Sequence, residues 1–243
     1  MKILVTNDDG INARGIKILT EAAMNFGEVY VVAPKTQQSA VSQGITIHNP
    51  ISIEEYDFIT GTRAWTVGGK PADCVKVAME YLHLKPDLVL SGVNDGPNLG
   101  TDILYSGTVA AASEAAVFKI PAVAISTDFG AFEIVEREIN DVLSFLIVNN
   151  IPSPGTLVNV NFPVNAFNAS LGFKFTKQGE RFFSAKYRHD EGMYWQEGNW
   201  VRSENDVDSD VKACESGYIS VSPLGIDRTD TGILSNWKNK KGL

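Results

Sequence analysis

Several short runs in this chain are apolar at nearly every position, and that restricts its fold more than any other feature. Val29-Tyr30-Val31-Val32-Ala33 stops at Pro34, and the runs from Asp87 to Gly92 and from Ala122 to Ser126 have the same character. A strand with one solvated face alternates apolar and polar residues. A strand apolar on both faces belongs in a parallel sheet covered by helices. Lys2 to Thr6 and Leu157 to Phe162 offer further strands. Ile16, Leu19, Ala22, Ala23 and Phe26 recur at helical spacing ahead of Gly27, a C-terminal cap, and helices are predicted over 72–81, 108–118 and 132–149. The alternation predicts a Rossmann-like, doubly wound α/β fold with a mostly parallel sheet.

Two stretches depart from this rhythm. Ile45 to Val67 alternates with turn residues and predicts an inserted antiparallel β-hairpin region. From Gly172 onward helical periodicity is weak and Trp and Tyr are frequent; Tyr194, Trp195 and Trp200 flank a turn signal at Glu197-Gly198-Asn199. The expected division is a catalytic core over 1–165 and a C-terminal extension over 166–243. That extension reads as an arm, bearing a hairpin, that packs on the core or reaches a partner subunit.

With 243 residues, 44% of them hydrophobic, the chain can bury a substantial core. No segment approaches the roughly 20 apolar residues that span a bilayer, and the opening residues reach Asp8 and Asp9 too soon for a signal peptide, so a cytoplasmic location is expected. The net charge is −8 and no Lys/Arg run exceeds Lys240-Lys241, which argues against long nucleic acids and anionic membranes as partners. Cys74 and Cys214 lack both Cys-x-x-Cys spacing and an Arg six positions on, and read as small core residues.

In an open α/β sheet the ligand site lies beyond the carboxyl ends of the strands. There the first strand delivers Asn7, Asp8 and Asp9, the second delivers "PKTQQSAVSQG", and a later one delivers "SGVNDGPNLGTDILYSGT". Two carboxylates about 4 Å apart repel by roughly 4 kcal/mol at an effective dielectric near 20, so the pair calls for a cation, a shared proton or solvent between them. The oxygen donors at hand are Asp8, Asp9, Ser39 and Asn94 or Asn98, with no His or Cys in these loops. Such a set suits Mg²⁺ or Mn²⁺. Ser106-Gly107-Thr108 then opens an alanine-rich helix, whose N-terminal N–H groups and hydroxyls make a ready anion site. A hard cation beside an anion cradle is the layout of phosphoryl chemistry. The bland alternatives are that Asp8 and Asp9 merely cap a helix and that Ser106 is an ordinary N-cap.

The segments "ILVTNDDG", "VVAPKTQQSAVSQGIT", "GGKPADCVKVA", "LVLSGVNDGPNLGTDILYSGTVAAASEA" and "IPAVAIS" together resemble the SurE family of stationary-phase survival proteins, over about the first 130 residues. The resemblance implies a metal-dependent phosphatase acting on nucleoside monophosphates, a 5′/3′-nucleotidase that is cytoplasmic and dimeric or tetrameric through C-terminal arms. Carried over residue by residue, its ligands for one divalent cation per subunit, Mg²⁺ or Mn²⁺, fall on Asp8, Asp9, Ser39 and Asn94. The expected mechanism is direct attack by metal-activated water, with Asn98 and the Ser106-Gly107-Thr108 helix start on the phosphate.

Rival readings are a non-catalytic nucleotide-binding module and a receiver-like signalling module with Asp57 as phosphoacceptor; Asp57, however, lies in the polar insert. Asp8 and Asp9 are adjacent rather than Asp-x-Asp, which signals no covalent Asp nucleophile, and "GGKPAD" lacks the remainder of a P-loop. His48, His83 and His189 sit in no motif.

Overall fold

A computed structural model describes residues 1–240. Strand β1 (Lys2–Thr6), helix α1 (Arg14–Ala23), strand β2 (Glu28–Pro34) and the insert strands β3 (Ile53–Tyr56) and β4 (Arg63–Val67) come first. Helix α2 (Pro71–Lys76) runs on into a π-helical turn, Val77–Tyr81, and leads to β5 (Leu88–Asp95). A 3₁₀ turn, Gly100–Leu104, precedes α3 (Gly107–Val117), β6 (Ala122–Thr127), α4 (Phe132–Val148) and β7 (Leu157–Asn161). The remainder comprises β8 (Phe173–Phe175), β9 (Arg181–Asp190), β10 (Met193–Arg202), α5 (Asp210–Glu215), β11 (Ile219–Leu224) and α6 (Thr231–Lys238).

The main sheet has nine strands in the order β3-β4-β2-β1-β5-β6-β7-β11-β8. Strands β4, β2, β1, β5, β6 and β7 are mutually parallel, whereas β3 and β11 run antiparallel to β4 and β7. Period-two alternation sorts their side chains into two cores. Ile3, Val5, Leu88, Leu90, Val123 and Ile125 pack on one face with α1 and α4. Leu4, Val89, Ala122 and Ala124 pack on the other with α2 and α3. The doubly wound, mostly parallel α/β sheet with an inserted hairpin is therefore the fold, and the two-sided apolar runs are its cause.

The extension expected from residue 166 divides. Strands β9 and β10 form a separate two-stranded sheet, but β8 and β11 join the main one, with Ile219 and Val221 fully in the core. Residues 173–175 and 219–224 thus belong with the core, beyond the expected limit at 165. Two short helices, α5 and α6, also lie where helical signals were weak; Ser209 and Asp230 cap their N-termini. The hairpin turn is not at Glu197-Gly198-Asn199. It falls at Glu191-Gly192, both with positive φ as a type I′ turn requires, and Gly198 sits mid-strand beneath the Phe183 ring.

One glycine joins α1 to the sheet. A Cβ at Gly15 would lie 1.8 Å from the carbonyl oxygen of Val93, in the bulged part of β5. Gly15→Ala would gain about 1 kcal/mol of helix propensity, but it must force helix and strand apart at a cost of about 1–3 kcal/mol or more. A net loss is expected, read as a Tm several degrees lower; an unchanged or raised Tm would show that α1 can slide.

Candidate active site

Four chain segments meet beyond the carboxyl ends of β1, β2 and β5, and named hydrogen bonds tie them together. The Gln38 backbone N–H donates to the Asp8 carbonyl at 2.7 Å, which pulls the loop after β2 over the end of β1. Ser42 then donates to the carbonyls of Leu104 and Tyr105, through its hydroxyl at 2.8 Å and its backbone N–H at 2.9 Å, and so ties the same loop to the 3₁₀ turn. Asp9 accepts from the Asp95 backbone N–H at 3.1 Å and from Gln37 Nε2 at 3.2 Å. Asp8 Oδ1 accepts from the Thr108 hydroxyl at 2.5 Å, so the first turn of α3 abuts the acid pair.

The result is a cleft of about 340 Å³ whose lining includes Asp8, Asp9, Ser39, Asn94, Asn98 and Ser106. Gly107 and Thr108 do not line it. Thr108 is buried with its hydroxyl committed to Asp8, and Gly107 packs directly against the Asp8 side chain. Ser106 caps α3, its Oγ accepting from the Val109 N–H at 3.1 Å. Asn98 is built into a polar network on the next two strands. Its Nδ2 donates to Ser126 Oγ at 2.8 Å, its N–H to Asn161 Oδ1 at 2.8 Å, and its carbonyl accepts from Asn159 and Asn161.

Electrostatics give the cleft its character. Burial pushes the Asp8 carboxyl up to about 6, with the Thr108 hydrogen bond opposing and the Asp9 charge adding to the rise. Burial likewise raises Asp9, against the donors from Asp95 and Gln37. Asp95 and Asp102 also line the cleft, while no Lys, Arg or His among the described residues does. Asp102 is paired with the Arg181 guanidinium behind it, Nε to Oδ2 3.4 Å, so Asp8, Asp9 and Asp95 are the acids left to repel a phosphate, and a cation between them would offset that repulsion.

Among the described residues no group of three or more His, Cys, Asp and Glu side chains is placed to hold a metal ion. The donors here are of another kind, two carboxylates with a neutral hydroxyl and amide, and this set fits a hard cation that keeps several waters. Asn94 directs its Nδ2 at the Gly96 carbonyl, 2.7 Å away, which leaves the amide oxygen as its available donor.

Other candidates fall away. Cys74 and Cys214 are buried, and burial raises both thiols, Cys214 to about 12. Asp57 is exposed beyond the edge strand β3, and none of the three histidines lines the cleft. Sequence reasoning missed Gln37, Asp95, Asp102, Tyr105, Phe129 and Trp200 as lining residues. Asp95 and Asp102 stood in the quoted glycine-rich stretch; Trp200 arrives from β10 and had no local signal.

The model of the family "Survival protein SurE" matches residues 3–185. The chain is 41% identical to the "5′-nucleotidase SurE" of Alkaliphilus metalliredigens, over 98% of each chain. It is 40% identical to the protein of that name from Gemmatimonas aurantiaca, covering 97% of this chain and 96% of the other. Among solved structures, that of the SurE protein from Aquifex aeolicus superimposes with a TM-score of 0.81 at 35% identity, covering 98% of both chains. With these matches spanning nearly its whole length and an acidic cleft at the carboxyl edge of its sheet, the chain belongs to the SurE family.

Proposed function

We propose that this protein is a metal-dependent 5′-nucleotidase that hydrolyses nucleoside monophosphates to nucleoside and phosphate. The observation that carries the chemistry is a cleft lined by Asp8, Asp9 and Asp95 with no basic side chain in its lining among the described residues, Asp102 being paired with Arg181, in a chain whose relatives bear the name 5′-nucleotidase. Asp8, Asp9, Ser39 and Asn94 would hold one Mg²⁺ or Mn²⁺ per subunit. Bound there, the ion would neutralise phosphate charge and lower the pKa of water.

The chain's own residues do the rest. Thr108 fixes the rotamer of Asp8, and Gln37 with the Asp95 N–H fixes Asp9, as outer partners of metal ligands do. The start of α3 at Ser106, Gly107 and Thr108 brings a positive helix end beside the acid pair, where equatorial phosphate oxygens gain charge, and Asn98 is the side-chain partner for one of them. Among the described residues the cleft lining contains no Cys, His or Lys, Asp8, Asp9 and Ser39 are the groups that would face the cation, and Ser106 caps α3, which favours direct attack by water.

Phosphate release from adenosine 5′-monophosphate tests this. It should stop on exhaustive chelation and return with Mg²⁺ or Mn²⁺. Release that survives chelation would remove the metal from the mechanism, and none under any condition would leave a nucleotide-binding module.

The arm carries the proposed assembly into a homodimer or homotetramer. Beyond its root the β9–β10 hairpin exposes Tyr187, Met193, Tyr194 and Trp195, apolar area that calls for a partner surface. Replacing Ala185–Gly198 by a two-residue Asn-Gly turn keeps Phe183 and Trp200 and removes that face. Sedimentation should then show monomer, where an unchanged oligomer would refute the role. Among the described residues no helix is long and apolar enough to cross a membrane, and a cytoplasmic location completes the proposal.

A further inference from the structure

Phe129 stands in the turn between β6 and α4, lines the cleft, and is 61% exposed. Its mounting is rigid for an exposed residue. Its N–H donates to Asp128 Oδ1 at 3.0 Å and its carbonyl accepts from Asn165 Nδ2 at 3.0 Å. The next residue, Gly130, donates to Asp95 Oδ1 at 2.7 Å, and the Asn165 N–H donates to Asp128 Oδ2 at 2.9 Å. The ring itself lies over Gly96, where a Cβ would come within 2.7 Å of Cε1 and where φ is +135°. Any side chain at 96 would strike the ring, and the backbone there favours glycine.

Water-exposed aromatic surface costs free energy, so a ring carried on a turn that four hydrogen bonds hold in place, and seated over a glycine, calls for a ligand that covers it. The same cleft holds Trp200, whose indole has the Arg181 guanidinium carbon 4.4 Å from its centroid and the Phe183 ring 5.3 Å away, edge-on. The acid pair and these rings therefore share one cleft, with charge for a phosphate and flat apolar surface beside it. Every nucleobase offers a π face that stacks on an aromatic ring.

We propose that Phe129 is the stacking platform for the substrate's nucleobase, with Trp200 as a second wall of the same subsite, so that Phe129 sets the preference for nucleotides over phosphate esters that lack a base. This rests on the nucleotidase reading and adds to it the part of the substrate that the acid pair cannot recognise.

The test compares adenosine 5′-monophosphate with ribose 5-phosphate on wild type, Phe129→Ala and Phe129→Tyr, with Mg²⁺ in excess. Phe129→Ala should raise KM for the nucleotide by about 5- to 150-fold, the range of one base–aromatic stack. It should leave kcat/KM for ribose 5-phosphate unchanged, and Phe129→Tyr should keep wild-type values for both. Equal losses on the two esters would make Phe129 a structural support of the Gly96 turn, and no loss on either would place the base elsewhere; both overturn the proposal. Calorimetric binding of adenosine, which carries the base without phosphate, separates this from the activity itself. Weaker binding by Phe129→Ala upholds the base site even if wild type releases no phosphate and the nucleotidase reading fails. Equal binding by the two proteins, or none by wild type, overturns it.

Discussion

Asp8→Asn and Asp9→Asn are each expected to cut turnover of a nucleoside monophosphate by roughly 10²- to 10³-fold or more, the scale of losing one preorganised charged contact. Local geometry survives either change. An amide oxygen at position 8 can still accept from Thr108, and one at position 9 from the Asp95 N–H, while Gln37 can turn its amide to suit. The loss would therefore report charge rather than a collapsed loop. Stability should move the other way in chelated protein. Burial holds the Asp8 pKa at about 6 against an unfolded value near 3.8, so the folded state binds more protons between these values and stability falls as pH rises through them. The penalty is absent below about 4 and full above about 6, on the order of 3 kcal/mol. Chelated Asp8→Asn should melt above chelated wild type at pH 7, and the gap should close toward pH 4. Mg²⁺ should close most of that gap at neutral pH at about 100 times its Kd, where it adds about 2.7 kcal/mol to wild type, and reverse the order at about 1,000 times, where it adds about 4.1 kcal/mol. Wild-type turnover in either variant would take that residue out of the site.

The same residues show how much of the molecule could be read in advance. The sheet was legible because burial on both faces leaves its mark on every position of a strand, as in Val31 and Val32 or Leu88, Val89 and Leu90, which point alternately into the two cores. Strand β11 was not legible. It alternates Ile219 and Val221 with Ser220 and Ser222 and contains Pro223, which argues for an edge. Pro223 lies beyond the last β8 pair, Val221 with Phe175, so its missing N–H falls where one flank of the strand is unpaired. In the site, the acid pair and the glycine-rich stretch were visible because their chemistry is local. Thr108 was misjudged as a donor to substrate. A hydroxyl beside a buried carboxylate forms the stronger, charge-assisted bond and is no longer available. Phe129 and Trp200 reach the cleft only through tertiary structure, one on a hydrogen-bonded turn and one on a hairpin.

Gly107→Ala is the sharpest test of how the fold aims the acid pair. At the first turn of an exposed helix the change would stabilise by about 1 kcal/mol. Here the new Cβ would stand 2.8 Å from Asp8 Cβ, 2.9 Å from Asp8 Oδ2 and 3.1 Å from Pro71 Cγ. The helix cannot easily retreat, because Ala111, Ala112, Ala115 and Ala116 are fully buried on its packed side. Asp8 is the shorter lever, held by one hydrogen bond to Thr108 in the same turn, so the carboxylate should shift. A displacement near 1 Å at a reacting centre costs on the order of 10²-fold. We expect kcat/KM to fall about that far, with a loss of about 1–3 kcal/mol in stability from overpacking. Both would be read on one preparation, by phosphate release at saturating Mg²⁺ and by thermal melting. If Gly107→Ala keeps full activity, the start of α3 does not set the position of Asp8.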